Sequence, residues 1–145
     1  MPPARDHLFS NKGIGGTSSG IFAACAEQMV LPDADLVVIE FTYNEPHDKE
    51  YDSPQRRGFE QLLRKVLDLP GAPAVIMLHQ YSWWFTYGDG LTNGLYYLPA
   101  EAQLTVFANY YDMPVVSLRA AVWRLMAAGI DGFRVSSHRP DSRLV

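Results

Sequence analysis

Cysteine is almost missing from this sequence. Cys25 is the single one, so no disulfide can form within the chain. Basic charge is also short: 12 Lys and Arg stand against 16 Asp and Glu, and the cations are scattered. No basic face emerges, which argues against a nucleic-acid partner. No apolar run approaches the ~20 residues that span a bilayer, so no transmembrane segment is expected in this chain. Residues 1–10 hold no apolar core, so no signal peptide opens it; were the start a fragment boundary, that would say nothing of the compartment of a longer protein. Neither a P-loop nor a Gly-x-Gly-x-x-Gly motif offers a nucleotide a cradle, and no Cys or His spacing supports zinc, so no cofactor or metal is expected. Repeats and low-complexity tracts are missing as well. What remains is 145 residues, 48% hydrophobic, at net charge −4: enough for one domain with one core. Nothing in the composition fixes an oligomeric state.

The richest stretch is residues 34–46. An apolar, β-branched run, Leu36 to Phe41, ends in Thr42, Asn44 and Glu45 and then Pro46. Such a run reads as a strand buried on both faces of a parallel sheet. Ligands of open α/β sheets bind beyond the carboxyl ends of their strands, where Asn44 falls. Its amide is placed to donate to a developing negative charge, or to cap the turn before Pro46. Residues 11–20, Asn-Lys-Gly-Ile-Gly-Gly-Thr-Ser-Ser-Gly, form a second polar turn that leads into a helical pattern. Its glycines free backbone N–H groups to face a ligand, and Thr17, Ser18 or Ser19 is a candidate N-cap.

Helices and strands alternate along the rest. Phe22, Ala26, Met29 and Val30 predict a helix over 19–30, with Cys25 a buried, inert thiol on its apolar face. Pro54 opens a helix over 54–68 carrying Phe59, Leu62, Leu63 and Val66. Strands follow at 74–78 and 115–118. Helices follow at 100–111, with Leu104, Phe107, Ala108 and Tyr111, and at 119–128, with Val122, Leu125 and Met126, stopped by Gly129. Strands separated by amphipathic helices imply βαβ units, hence an α/β fold with a parallel sheet over 36–41, 74–78 and 115–118. One segment breaks the pattern: residues 79–98 hold seven aromatic residues among three glycines. Trp83, Trp84, Phe85 and Tyr87 there are candidates for a platform under a sugar ring or acyl group, or else for cover over the sheet. His79, at a strand end, reads as a histidine satisfied by the loop backbone rather than as a base. His47 with Glu45, Asp48, Glu50 and Asp52 reads as a solvated loop rather than a cation site.

The two turns, Gly-Gly-Thr-Ser-Ser-Gly-Ile-Phe-Ala-Ala-Cys (residues 15–25) and Ala-Asp-Leu-Val-Val-Ile-Glu-Phe-Thr-Tyr-Asn (residues 34–44), in this order, resemble the SGNH (GDSL-like) hydrolase superfamily, most closely its plant and algal type. Pro73 to Leu78 and Asn109 to Arg119 resemble later segments of that domain, and the likeness spans roughly residues 8–134. It implies a three-layer α/β/α, flavodoxin-like fold and serine esterase or acyl-transfer chemistry on ester or acylated carbohydrate substrates. It also implies oxyanion-hole donors at Gly15 or Gly16 and at Asn44. The sequence departs from that family at two places. The family's Gly-Asp-Ser nucleophile motif does not occur here, and Ser10 lies in the wrong context. The family's Asp-x-x-His motif is not matched by His138, which has Val135 at the acid's position; Asp131 is too far upstream for the motif, although Asp131 and His138 could still approach each other in space. His138 is thus only a weak candidate base. The expectation is that residues 1–145 form a single partial domain, without the nucleophile strand and the histidine segment. An inactive binding or structural remnant of the fold is the alternative.

Overall fold

The structure, a computed structural model, describes residues 7–83 and 99–133. Its elements run α1 (Ser19–Ala24), α2 (Ala26–Met29), β1 (Leu36–Ile39), α3 (Pro54–Leu67), β2 (Ala74–His79), α4 (Glu101–Tyr110), β3 (Val115–Ser117) and α5 (Leu118–Ala127). The sheet has the order β1-β2-β3 and is parallel throughout, as the alternation of strands and helices predicts. Leu36 pairs with Ala74 and Ile39 with Met77; Met77 then pairs with Val115 and His79 with Ser117. A sheet of this kind with helices packed on it is an incomplete three-layer α/β/α arrangement.

One sheet face carries the main core. Ile39, Val75 and Met77 point into it and meet Phe59, Leu62, Leu63 and Val66 of α3, Leu104, Phe107 and Ala108 of α4, and Ala23 of α1. Four rings form its centre. Phe59 lies edge-on to Phe107 at 5.4 Å and to Phe41 at 6.5 Å, and Phe22 packs edge-on against Phe41 at 5.1 Å. Edge-to-face pairs add to the burial energy because the positive ring edge meets the negative ring face. α1 crosses α3 where two glycines meet: a Cβ on Gly58 would stand 3.2 Å from the Gly20 Cα. Ser53 caps α3 by accepting the Arg56 N–H, with Pro54 in the first turn.

Three expectations need correction. Side chains alternate along a strand, so Leu36 and Val38 point away from the main core, and with Val116 each is 52% exposed. Among the described residues, β1 is therefore buried on one face, not two. The helix over 19–30 breaks at Cys25, whose backbone leaves the α region at φ −113° and ψ 18°. There the Lys65 ammonium donates to the Ala23 carbonyl at 2.8 Å. The break keeps Ala23 and Ala26 buried and turns Cys25 to solvent, so the thiol is exposed. Leu125, placed on the buried stripe of α5, is also exposed, while Val122 and Met126 pack with Tyr81 in a second, smaller cluster.

Candidate active site at the carboxyl edge

In a parallel sheet every strand delivers its following loop to the same edge. The loops after β1 and β2 and the first turns of α3, α4 and α5 all gather there. Asn44 lies in the turn after β1, where the N–H groups of Asn44 and Glu45 both donate to the Phe41 carbonyl at 3.0 Å. Asn44 itself is exposed, as are Gly15 and Gly16, and Gly16 takes the left-handed conformation at φ +70°. That angle is strained for any side chain, which explains a glycine there.

The two turns are tied together by a residue that sequence reasoning placed in a solvated loop. Glu45 is buried. Its Oε1 accepts the Ser19 backbone N–H at 2.9 Å and the Ser19 hydroxyl at 2.6 Å. The first turn of α1 is thus served by a carboxylate from another loop, since the Ser18 side chain at the N-cap makes no cap bond. Arg56, with its side chain wholly buried, donates from Nη1 to Glu45 Oε2 at 3.2 Å. Arg56 Nε donates to Gln103 Oε1 at 3.2 Å, and Nη2 reaches both Gln103 Oε1 and the Pro46 carbonyl. Gln103 in turn donates to the Lys49 carbonyl at 3.0 Å. Burial pulls the Arg56 pKa down while Glu45, Tyr51 and Asp48 pull it up; the guanidinium stays charged at any physiological pH.

His79 is buried at the end of β2, and two threonine hydroxyls hold it rather than the loop backbone. Thr42 Oγ1 lies 3.0 Å from Nδ1 and Thr105 Oγ1 lies 3.1 Å from Nε2. Thr105 already donates its hydroxyl proton to the Glu101 carbonyl at 2.7 Å, so it accepts from Nε2–H. Nδ1 then accepts from Thr42, which fixes the neutral Nε2–H tautomer. Burial lowers the His79 pKa; Glu101 raises it and Arg119 lowers it further. With both ring nitrogens engaged, His79 is poorly placed to act as a base. Beyond it, Ser117 donates to Glu101 Oε1 at 2.7 Å, and Arg119 Nε lies 3.1 Å from Glu101 Oε2. Tyr43 and Ser82 share a hydrogen bond across the loops after β1 and β2.

Of the platform residues, Trp83 is partly buried. Its ring lies 5.3 Å from Phe133, and it packs on Tyr81, Val122 and Met126. Trp84, Phe85, Tyr87 and His138 lie outside the described residues. Glu45 and Arg56 are the site-forming residues that sequence reasoning missed. The signal open to it was an arginine in the first turn of a helix a short loop after a carboxylate.

No family model matches the chain, and neither does any curated protein. Solved structures do. The crystal structure of a two-domain esterase (CEX) active on acetylated mannans is 27% identical with a TM-score of 0.68, over 88% of this chain and 31% of that one. The same esterase co-crystallized with mannopentaose is 29% identical with a TM-score of 0.62, over 81% of this chain and 28% of that one. The fold is therefore esterase-like, and the chain spans under a third of the length of the esterase it matches.

Proposed function

We propose that this chain is part of an SGNH-type serine hydrolase domain acting on acylated carbohydrates. The observation that carries the reading is the likeness to an acetylmannan esterase across 88% of the chain. The tie between Ser19 and Glu45 supports the location of the site, because it joins the Gly15–Gly16 turn to the Asn44 turn at one sheet edge. In this reading a serine attacks the acyl carbon and a histidine takes its proton. The carbonyl oxygen becomes an oxyanion, held by the Asn44 amide, the Gly15 or Gly16 N–H and the nucleophile's own N–H. Collapse expels the sugar alkoxide, protonated by the histidine, and water then releases the acid. The nucleophile strand and the histidine segment come from the rest of a longer polypeptide, residues 1–145 being a partial domain. A second reading, a binding or structural remnant, is favoured by one feature: no Gly-Asp-Ser occurs in the 145 residues.

Acetate release from acetylated mannan oligosaccharides separates the two. The protein at its full natural length is expected to release acetate, and residues 1–145 alone are not. Turnover by neither form would favour the remnant. Strong turnover by residues 1–145, abolished by changing Ser10, Ser18 or Ser19, would overturn the assignment of roles.

A further inference from the structure

The buried Glu45–Arg56 pair has no evident stabilising purpose. Taking both charges out of water costs about as much as their attraction returns, and apolar residues of similar volume often serve the fold equally well. What the pair does have is position. Glu45 is covalently next to Asn44, and its Oε1 holds both donors of Ser19, three residues after Gly16. Its Oε2 is held by Arg56, whose other nitrogens are fixed by Gln103 of α4 and by the Pro46 carbonyl. The chain of contacts therefore links α1, the loop after β1, α3 and α4. The candidate oxyanion donors stand close to it in sequence and are exposed, Asn44 directly before Glu45 and Gly16 three residues before Ser19, while Ser19, Glu45 and Arg56 are buried.

We infer that Glu45 and Arg56 are positioning residues that fix Asn44 and the Gly15–Gly16 turn at the spacing an oxyanion requires. The inference rests on the oxyanion reading given above. Donors must be held within roughly 0.5 Å of their productive geometry, and a misplacement of about 1 Å costs about 10²-fold in rate. Two turns from separate parts of the chain reach that tolerance only if something rigid joins them.

The test replaces the pair by apolar residues of similar length, Glu45→Met with Arg56→Met, in the full-length protein. A merely structural pair predicts a folded protein with unchanged turnover. A positioning pair predicts a folded protein whose kcat on p-nitrophenyl acetate falls ~10–100-fold with KM within about twofold. Adding Asn44→Ala to the double variant is expected to bring kcat only to about the level of Asn44→Ala alone, because the tie acts through Asn44; a full multiplicative loss would overturn the inference. The milder Ser19→Ala covers the case in which the double variant does not fold, with a kcat loss of several-fold expected and no loss contradicting the inference. A second readout needs no activity. In the full-length protein, the Gly16 N–H and Asn44 side-chain NH₂ resonances are expected to move in the double variant and in Ser19→Ala, and resonances that stay fixed would refute it. If Asn44→Ala alone leaves kcat unchanged, the oxyanion reading fails while the resonances still report whether the pair positions the turns.

Discussion

Phe59 and Arg56 lie less than one turn apart on α3, and neither exposes its side chain. Phe59 sits among rings, edge-on to Phe41 and Phe107, and its burial is the hydrophobic effect acting on a helical stripe. Arg56 sits among polar atoms, with Glu45, Gln103 and the Pro46 carbonyl around its guanidinium. The first region is non-directional: many apolar side chains of the right volume would serve. The second is directional: each hydrogen bond fixes a distance and an angle, and loss of one partner strands the others. The core holds the sheet and helices together, and the polar tie sets where the loops at the carboxyl edge stand.

Substitutions that attack one region at a time sharpen this contrast. Phe59→Ala is expected to cost the most, about 3–5 kcal/mol, because it opens a cavity where three elements meet. Urea unfolding would measure it, and a loss under about 1 kcal/mol would mean that the core closes around the gap. Arg56→Met alone follows, also within about 3–5 kcal/mol, since it leaves the Glu45 carboxylate buried without its partner. Here the companion change Glu45→Met is expected to recover most of the loss, whereas no second substitution of that kind exists for Phe59. Failure of the recovery would erase the distinction.

Acid probes the polar region through His79. Burial holds its folded pKa below the ordinary 6.5, so the unfolded chain binds its proton first as the pH falls. The stability His79 contributes is therefore complete above about pH 6.5 and is lost below it, with a limiting slope of about 1.4 kcal/mol per pH unit for one proton. Glu60, depressed by Arg64 and Tyr111, loses its contribution only lower, as the pH falls through the carboxylate range around its ordinary 4.5. Urea midpoints at pH 7.5 and 5.5 would fall in the parent and fall less in His79→Asn; equal falls would assign the titration elsewhere. The smallest effect belongs to the α3 cap. Ser53→Ala should cost about 0.5 kcal/mol, at the low end for an N-cap, because its bond to the Arg56 N–H is long at 3.4 Å.

The same contrast governs what was legible in the sequence. Phe59, Leu62, Leu63 and Val66 announce their helix and its buried side through spacing alone, and all four are buried. The parallel sheet followed from strands alternating with such stripes. Periodicity carries no information about polar partners distant in the chain. Glu45 meets Ser19 across 26 positions, and His79 meets Thr42 across 37. By its neighbours His47 and Asp48, Glu45 reads as a solvated residue, and tertiary contact decides otherwise. Cys25 differs from its sequence pattern for a related reason: a helical wheel assumes an unbroken helix, and the chain breaks at that residue.

The oxyanion role proposed for Asn44 has a direct test in Asn44 itself. Asn44 is exposed, so Asn44→Ala should leave the urea midpoint within about 0.5 kcal/mol of the parent. In the full-length protein the same change is expected to lower kcat for acetate release by about 10²–10³, with KM little altered. A variant that keeps both its stability and its turnover would contradict the account.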